Sequence, residues 1–301
     1  MVGVLQGFVI VIAVIAVGFV LAWRGTLGPG ARKSLASFVF AIATPALLFD
    51  KLTQQTLGEV FSGHFAVVSL SSLAVGLMFF LLCRLLLRHR FDEAVIAMLG
   101  SSYANGGNIG IPLAVYILDD ASAVIPLMLF QIAFYAPVAL TAIDISRASG
   151  GWLGNIVAAV KNPMLLGSLA GLAFVVAGVT PPAVIAEPVR MLAGASVPLA
   201  LVVFGMSLYG ARVRVDREVA LGAVFKNLIH PVVAGALAAG VFGMEGAALQ
   251  TAIMLGALPS AQNVYTYAVR YRAKEDFARD IGVVTTIAAL PVMVTIAVAF
   301  G

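Results

Sequence analysis

Two stretches of this chain place amides, hydroxyls, glycine and proline inside otherwise apolar sequence. They are MLGSSYANGGNIGIPLAVY, residues 98–116, and MLGALPSAQNVYTYAVRY, residues 254–271. Glycine weakens a helix and proline removes a backbone donor, so each stretch reads as a helix with a break in it. Gly106, Gly107, Gly110 and Pro112 would break the first, and Pro259 the second. A broken helix leaves backbone N–H groups free at the new N-terminus, together with a partial positive charge. Two such ends close together would attract a carboxylate. Amides both donate and accept, so Asn105, Asn108, Gln262 and Asn263, with the Ser260 hydroxyl, could satisfy the broken backbone and still reach an anion. The plainer alternative is a pair of kinked helices packed by small residues.

Other residues carry open alternatives. Gln131 and Tyr135 lie one helical turn apart and share a face, either aimed at the breaks or bonding neighbouring helices. Lys226 is either an anion-attracting charge in a cavity or a side chain snorkelling to the interface. His230, before Pro231, is either a proton relay or a hydrogen-bonded packing residue. Asp50 and Lys51 are either a gate or an ordinary interfacial pair. HExxH, GxSxG, Walker A and GxGxxG signatures are missing, which argues against an enzyme or an ATP-driven pump. No cofactor or metal is expected. The single Cys83 excludes a disulfide framework and any Cys-based zinc site.

The elements that hold these residues must span a membrane. Of 301 residues, 61% are hydrophobic and 11% charged, and mean hydropathy is +1.06, against about 45–50% apolar and about 25% charged in soluble domains. Ten spans of about 20 residues fit, near 3–23, 34–50, 63–87, 93–118, 122–143, 163–180, 188–210, 219–242, 246–270 and 277–300. The segment before residue 20 lacks a basic leader and reads as a retained first span. The net charge of +4 fits basic cytoplasmic loops better than nucleic acid.

The basic residues alternate with the spans. Odd loops hold Arg24, Arg32 and Lys33; Arg84, Arg88 and Arg90; Arg147 and Lys161; Arg212, Arg214 and Arg217; and Arg270, Arg272, Lys274 and Arg279. Termini and even loops hold only Lys51 and Arg190. The positive-inside rule then puts both termini outside a plasma or inner membrane. All 14 acidic residues lie at or beyond span ends, so no carboxylate relay is expected at either break. Met98-Leu99-Gly100 and Met254-Leu255-Gly256 precede the two breaks, and Pro45 and Pro198 lie in spans two and seven. Five spans per half is odd, which predicts an inverted repeat. The expected fold is an all-α polytopic membrane protein of ten helices, with breaks in spans four and nine. Residues 1–143 form the first repeat, 144–162 a cytoplasmic connection, and 163–301 the second repeat.

The pattern resembles the auxin efflux carrier family, which includes plant auxin exporters and bacterial malonate or malate carriers. Leu258-Pro259 through Tyr265, Tyr267, Ala268 and Tyr271 resembles its second crossover, and Asn105 with Gly110-Ile111-Pro112 its first. Pro291 also fits. The resemblance implies a fold like the bile-acid symporters. Spans 1, 2, 6 and 7 would form a scaffold, through which a homodimer could form, and spans 3–5 and 8–10 a transport domain. Plant carriers place a proline where this chain has Ala104, and their long cytoplasmic loop is absent. The implied function is secondary transport of a small organic anion across the lipid bilayer by alternating access. Rival readings are a sodium-coupled organic-acid symporter and an intramembrane enzyme or lipid-binding sensor.

Overall fold

The computed structural model describes residues 2–60, 62–111, 113–114, 118, 121–147, 163–210 and 213–300. Their regular structure is helical apart from one isolated β-bridge, Ala104 to Ser260. Apolar sequence leads to helix because a helix satisfies its own backbone, which lipid cannot do. We label α1 Val2–Arg24, α2 Ala31–Leu52, α3 Gly63–Leu86, α4 Phe91–Ser102 and α5 125–146. Then follow α6 Pro163–Ala177, α7 Ala183–Leu208, α8 Arg217–Gly240, α9 Gly246–Ala257, α10 Asn263–Tyr271 and α11 Glu275–Phe300. Among the described residues, five of these (α2, α3, α7, α8 and α11) have 22 to 26 residues and are apolar enough to cross a membrane. At 1.5 Å per residue they exceed the roughly 30 Å hydrocarbon core. Outward-facing Leu77, Leu85, Val138, Val232 and Ile287 are exposed, as suits a surface whose solvent is lipid.

Among the described residues, the tightest glycine contacts, backbone to backbone, join two helix pairs. On α1 and α7, a Cβ at Gly18 would overlap the Val202 carbonyl, and one at Gly205 the Ile15 carbonyl. On α6 and α2, Gly167 sits against Pro45, and Gly171 against Phe49 and Leu52. Small residues allow such approach where lipid gives helices no hydrophobic reason to associate. Thr44 of α2 and Ser196 of α7 share a 2.9 Å hydrogen bond across 152 positions of sequence. On the other side of the molecule α3 packs on α4 and α8, and α9 on α8 and α11. Asp50 is buried, and it meets both Lys51 and Arg190 at 3.7 Å, which joins the end of α2 to α7.

Both expected breaks are present. α4 stops at Ser102, and Tyr103 takes extended angles (φ −81, ψ 108) before a wide turn over Gly106–Gly110. α9 stops at Ala257, and Leu258 is extended (φ −52, ψ 142), as the following proline favours. α10 starts afresh at Asn263. Gly106 and Gly110 lie in the turn that follows the first break. Gly106 and Gly110 are absent from the left-handed backbone positions. Added Cβ atoms there would meet Met128 at 3.0 Å and Val124 at 2.9 Å. They admit α5 and its preceding turn rather than supplying unusual backbone. Pro112 and residues 148–162, which include most of the expected connection, lie outside the described residues.

Candidate functional site

The two breaks cross each other in the protein interior. Asn105 N–H donates to the Pro259 carbonyl at 2.8 Å, and Ala261 N–H donates to the Tyr103 carbonyl at 3.0 Å. The paired residues Ala104 and Ser260 are 156 positions apart, the same separation as Met98 and Met254. Tyr103 and Pro259, and Asn105 and Ala261, differ by 156 as well. Each bond is therefore the counterpart of the other, the pattern of a self-complementary contact. The two short extended segments satisfy backbone groups that the broken helices leave over.

Side chains from neighbouring helices prop the crossing. Gln131 of α5 is buried with its amide against both backbone groups of Ala104, and the amide orientation assigned from those partners has Nε2 donating to the carbonyl at 2.8 Å and Oε1 accepting from the N–H at 2.9 Å. This gives the departure at Ala104 a physical consequence, because a proline there would have no N–H to offer. Tyr135, also buried, lies 2.6 Å from Ser102 Oγ. Ser102 donates its own proton to the Met98 carbonyl at 2.7 Å, so the tyrosine is the donor between them. The Tyr103 ring lies between Tyr135, stacked at 6.0 Å, and Tyr267, edge-on at 6.3 Å. On the opposite side Thr285 of α11 accepts from Ser260 N–H at 3.0 Å and donates to the Ile281 carbonyl at 2.6 Å. Asn227 of α8 donates to the Thr285 carbonyl at 3.2 Å.

Lys226 is fully buried, which removes the snorkelling alternative. Its Nζ donates to the Gly256 carbonyl at 2.8 Å and lies 2.9 Å from His230 Nδ1. Gly256 O belongs to the last turn of α9, where carbonyls lack helical partners, and a cation suits that negative end. Gln131 and Tyr135 lie on a wide turn over Phe130–Tyr135, and Lys226 and Asn227 on another over Phe225–Ile229. Such π-turns inside α-helices are frequent at functional sites.

The predicted site residues thus divide. Asn105 and Ser260 are buried at the crossing, and Gln262 and Asn263 are half-buried at the start of α10. Ser260 Oγ is buried with no hydrogen-bond partner among the described residues. Asn108 contributes backbone to the Gly106–Gly110 turn, and its side chain lies outside the described residues. Gln131 and Tyr135 reach the crossing but are bonded to protein. Beside it a narrow apolar cleft is lined by Leu47, Leu48 and Lys51 of α2, Ile111, Val124, and Ile125 and Met128 of α5. Thr285, Ser102 and Asn227 were not anticipated. A signal that could have found Thr285 is its place 154 positions after Gln131, close to the 156 that separates the paired residues of the crossing.

A family model described as "Membrane transport protein" matches residues 4–143 and 154–297. The chain belongs to this family, the auxin efflux carriers. It is 26% identical over 263 residues to a protein of Rhizobium meliloti (strain 1021) named "Putative malonate transporter". The match covers 84% of this chain and 82% of that one. This family member is therefore a membrane transport protein and not an enzyme, and the crossing belongs to a transporter for a small molecule. The gap between the two matched stretches falls in the segment expected to connect two halves.

Proposed function

We propose that this family member is a secondary transporter that moves a small carboxylate across the membrane by alternating access. One observation carries the reading: two broken helices cross through reciprocal backbone bonds at a constant separation of 156 positions. That reciprocity supports an inverted pair of five-helix repeats, since an axis in the membrane plane makes equivalent residues meet. The Thr44–Ser196 bond, 152 positions apart, supports the same relation. The glycine-packed helices α1, α2, α6 and α7 form the scaffold. Helices α3 to α5 and α8 to α11 form the transport domain around the crossing. Asn105, Ser260, Gln262 and Asn263 would offer amide and hydroxyl donors, with the N-terminus of α10 adding partial positive charge. The name of the Rhizobium relative makes malonate the first substrate to try. The split of basic residues supports termini on the outer side, so a C-terminal alkaline phosphatase fusion would be active and a green fluorescent protein fusion exported unfolded would be dark.

The test is binding of labelled malonate to purified, monodisperse protein. A hydrogen bond to a charged group is worth roughly 1.5–3 kcal/mol, or about 10- to 150-fold in affinity. Asn105→Ala and Asn263→Ala should each weaken binding on that scale without loss of fold. Aspartate at either position should do more harm, because it repels an anion. Near-wild-type binding by both alanine variants would move the site elsewhere. Sodium-independent binding would separate this reading from the symporter.

A further inference from the structure

Lys226 and His230 form a buried pair that the crossing's backbone bonds do not require. We propose that the pair is a one-proton site whose occupancy is linked to carboxylate binding at the crossing, so that each anion travels with one proton. The proposal rests on the carboxylate reading above.

The geometry fixes where the proton sits. When Lys226 is an ammonium it donates to Gly256 O at 2.8 Å and to His230 Nδ1 at 2.9 Å. His230 then carries its own hydrogen on Nε2, which lies 3.4 Å from Ser71 Oγ and 3.5 Å from Ser72 Oγ on α3. A second added proton would place two cations 2.9 Å apart inside the protein, so the pair holds one charge at most. Releasing that proton leaves an amine that can still donate to Gly256 O. Both end states keep the end of α9 capped.

The charge has no carboxylate to balance it among the described residues. Four helices pack on the Phe225–Ile229 turn, namely α3, α4, α9 and α11. On α3 the facing groups are the Ser71 and Ser72 hydroxyls, while His64 and Cys83 lie toward its two ends and His64 bonds Ala248 O. On α9 the facing group is Gly256 O, and Glu245 precedes the helix. On α4, Asp92 pairs with Arg147 and Arg90, and Glu93 bonds Arg90 N–H. On α11, Asp276 and Asp280 pair with Arg279, and Glu275 lies in the first turn. None of these carboxylates bonds Lys226 or His230. A buried charge without a counter-charge either loses its proton or waits for a partner. The substrate carboxylate supplies that partner. The coupling path is short, because Gly256 lies four residues before Ser260, the paired residue of the crossing. By linkage, the proton must raise anion affinity by the factor by which the anion raises proton affinity. The pair is buried here, so exchange with water needs the other states that alternating access provides.

The experiment adds malonate to detergent-purified protein in weak buffer with a pH indicator, at an alkaline pH where free malonate holds no proton. Labelled malonate measures binding in parallel. The wild type should take up about one proton per malonate bound, and its affinity should fall about tenfold per pH unit above the pair's titration. Lys226→Met should bind more weakly and take up none. Lys226→Arg keeps a cation that does not deprotonate in proteins, so it should bind malonate with neither proton uptake nor the pH slope. Binding without proton uptake by the wild type would overturn this proposal and leave the carboxylate reading standing. Undiminished uptake in the arginine variant would overturn it as well, by placing the proton on another group. Absence of binding for malonate and every other carboxylate tried would overturn the carboxylate reading, and this proposal with it. If the methionine variant does not fold, the arginine variant decides.

Discussion

The two crossover segments meet as counterparts, yet their supports differ in kind. Ala104 of the first is held at both backbone groups by one neutral amide, Gln131. Ser260 of the second is held at its N–H alone, by the Thr285 hydroxyl. The helix leading into the second break ends on a lysine, through Gly256 O. The helix leading into the first ends on hydroxyls, with Ser101 and Ser102 both donating to Met98 O. A broken helix in lipid must have its freed groups satisfied, but the requirement does not say by what. Here the first crossover is held at both backbone groups of Ala104 by a neutral amide, and the helix before the second ends on a cation, while each crossover keeps a buried hydroxyl, Tyr103 and Ser260, that has no hydrogen-bond partner among the described residues.

That contrast predicts graded losses of stability. Gln131→Leu keeps the volume and strands two buried backbone groups at about 1–3 kcal/mol each. Its unfolding free energy in detergent should fall by about 2–6 kcal/mol, the largest loss among these props. Thr285→Val strands one N–H and should lose about 1–3 kcal/mol, while Thr285→Ser should retain most of the stability. Equal losses for the leucine and valine variants would break the distinction between the two supports. Thermal unfolding of monodisperse protein is the measurement.

How far the sequence reaches is visible in the same residues. The breaks themselves were legible, because glycine, asparagine and proline interrupt two apolar runs in corresponding positions. Gln131 and Tyr135 were legible as one face of a helix, but their targets were not. Gln131 is bonded to backbone, and no side-chain pattern reveals which carbonyl or N–H a fold leaves over. Ala104 stood out only as a position without proline, and its meaning came with the bond to Gln131. Thr285 was hidden because it lies in an apolar run, where a threonine most often bonds its own helix. Thr285 does bond its own helix, at Ile281 O, and uses its remaining acceptor for Ser260. Lys226 could be placed inside a span from sequence, but snorkelling and burial differ only by the direction of a flexible side chain.

The smallest expected effect on stability tests the second crossover most directly. Ser260 Oγ is buried and has no hydrogen-bond partner among the described residues, so it has given up its hydration without a hydrogen bond from them in return. Replacing such a group costs little and can stabilise, since the unmet desolvation disappears with it. Ser260→Ala keeps the backbone N–H that Thr285 holds and the pairing with Ala104. Its stability should therefore match the wild type within about 0.5 kcal/mol or exceed it, the scale of a change that strands nothing. Malonate affinity should nevertheless fall about 10-fold or more, if the hydroxyl donates to the bound carboxylate at roughly 1.5–3 kcal/mol. A destabilised alanine variant with unchanged affinity would mean that the hydroxyl serves the fold. The contrast between the two crossovers would then rest on their backbone supports and on Lys226.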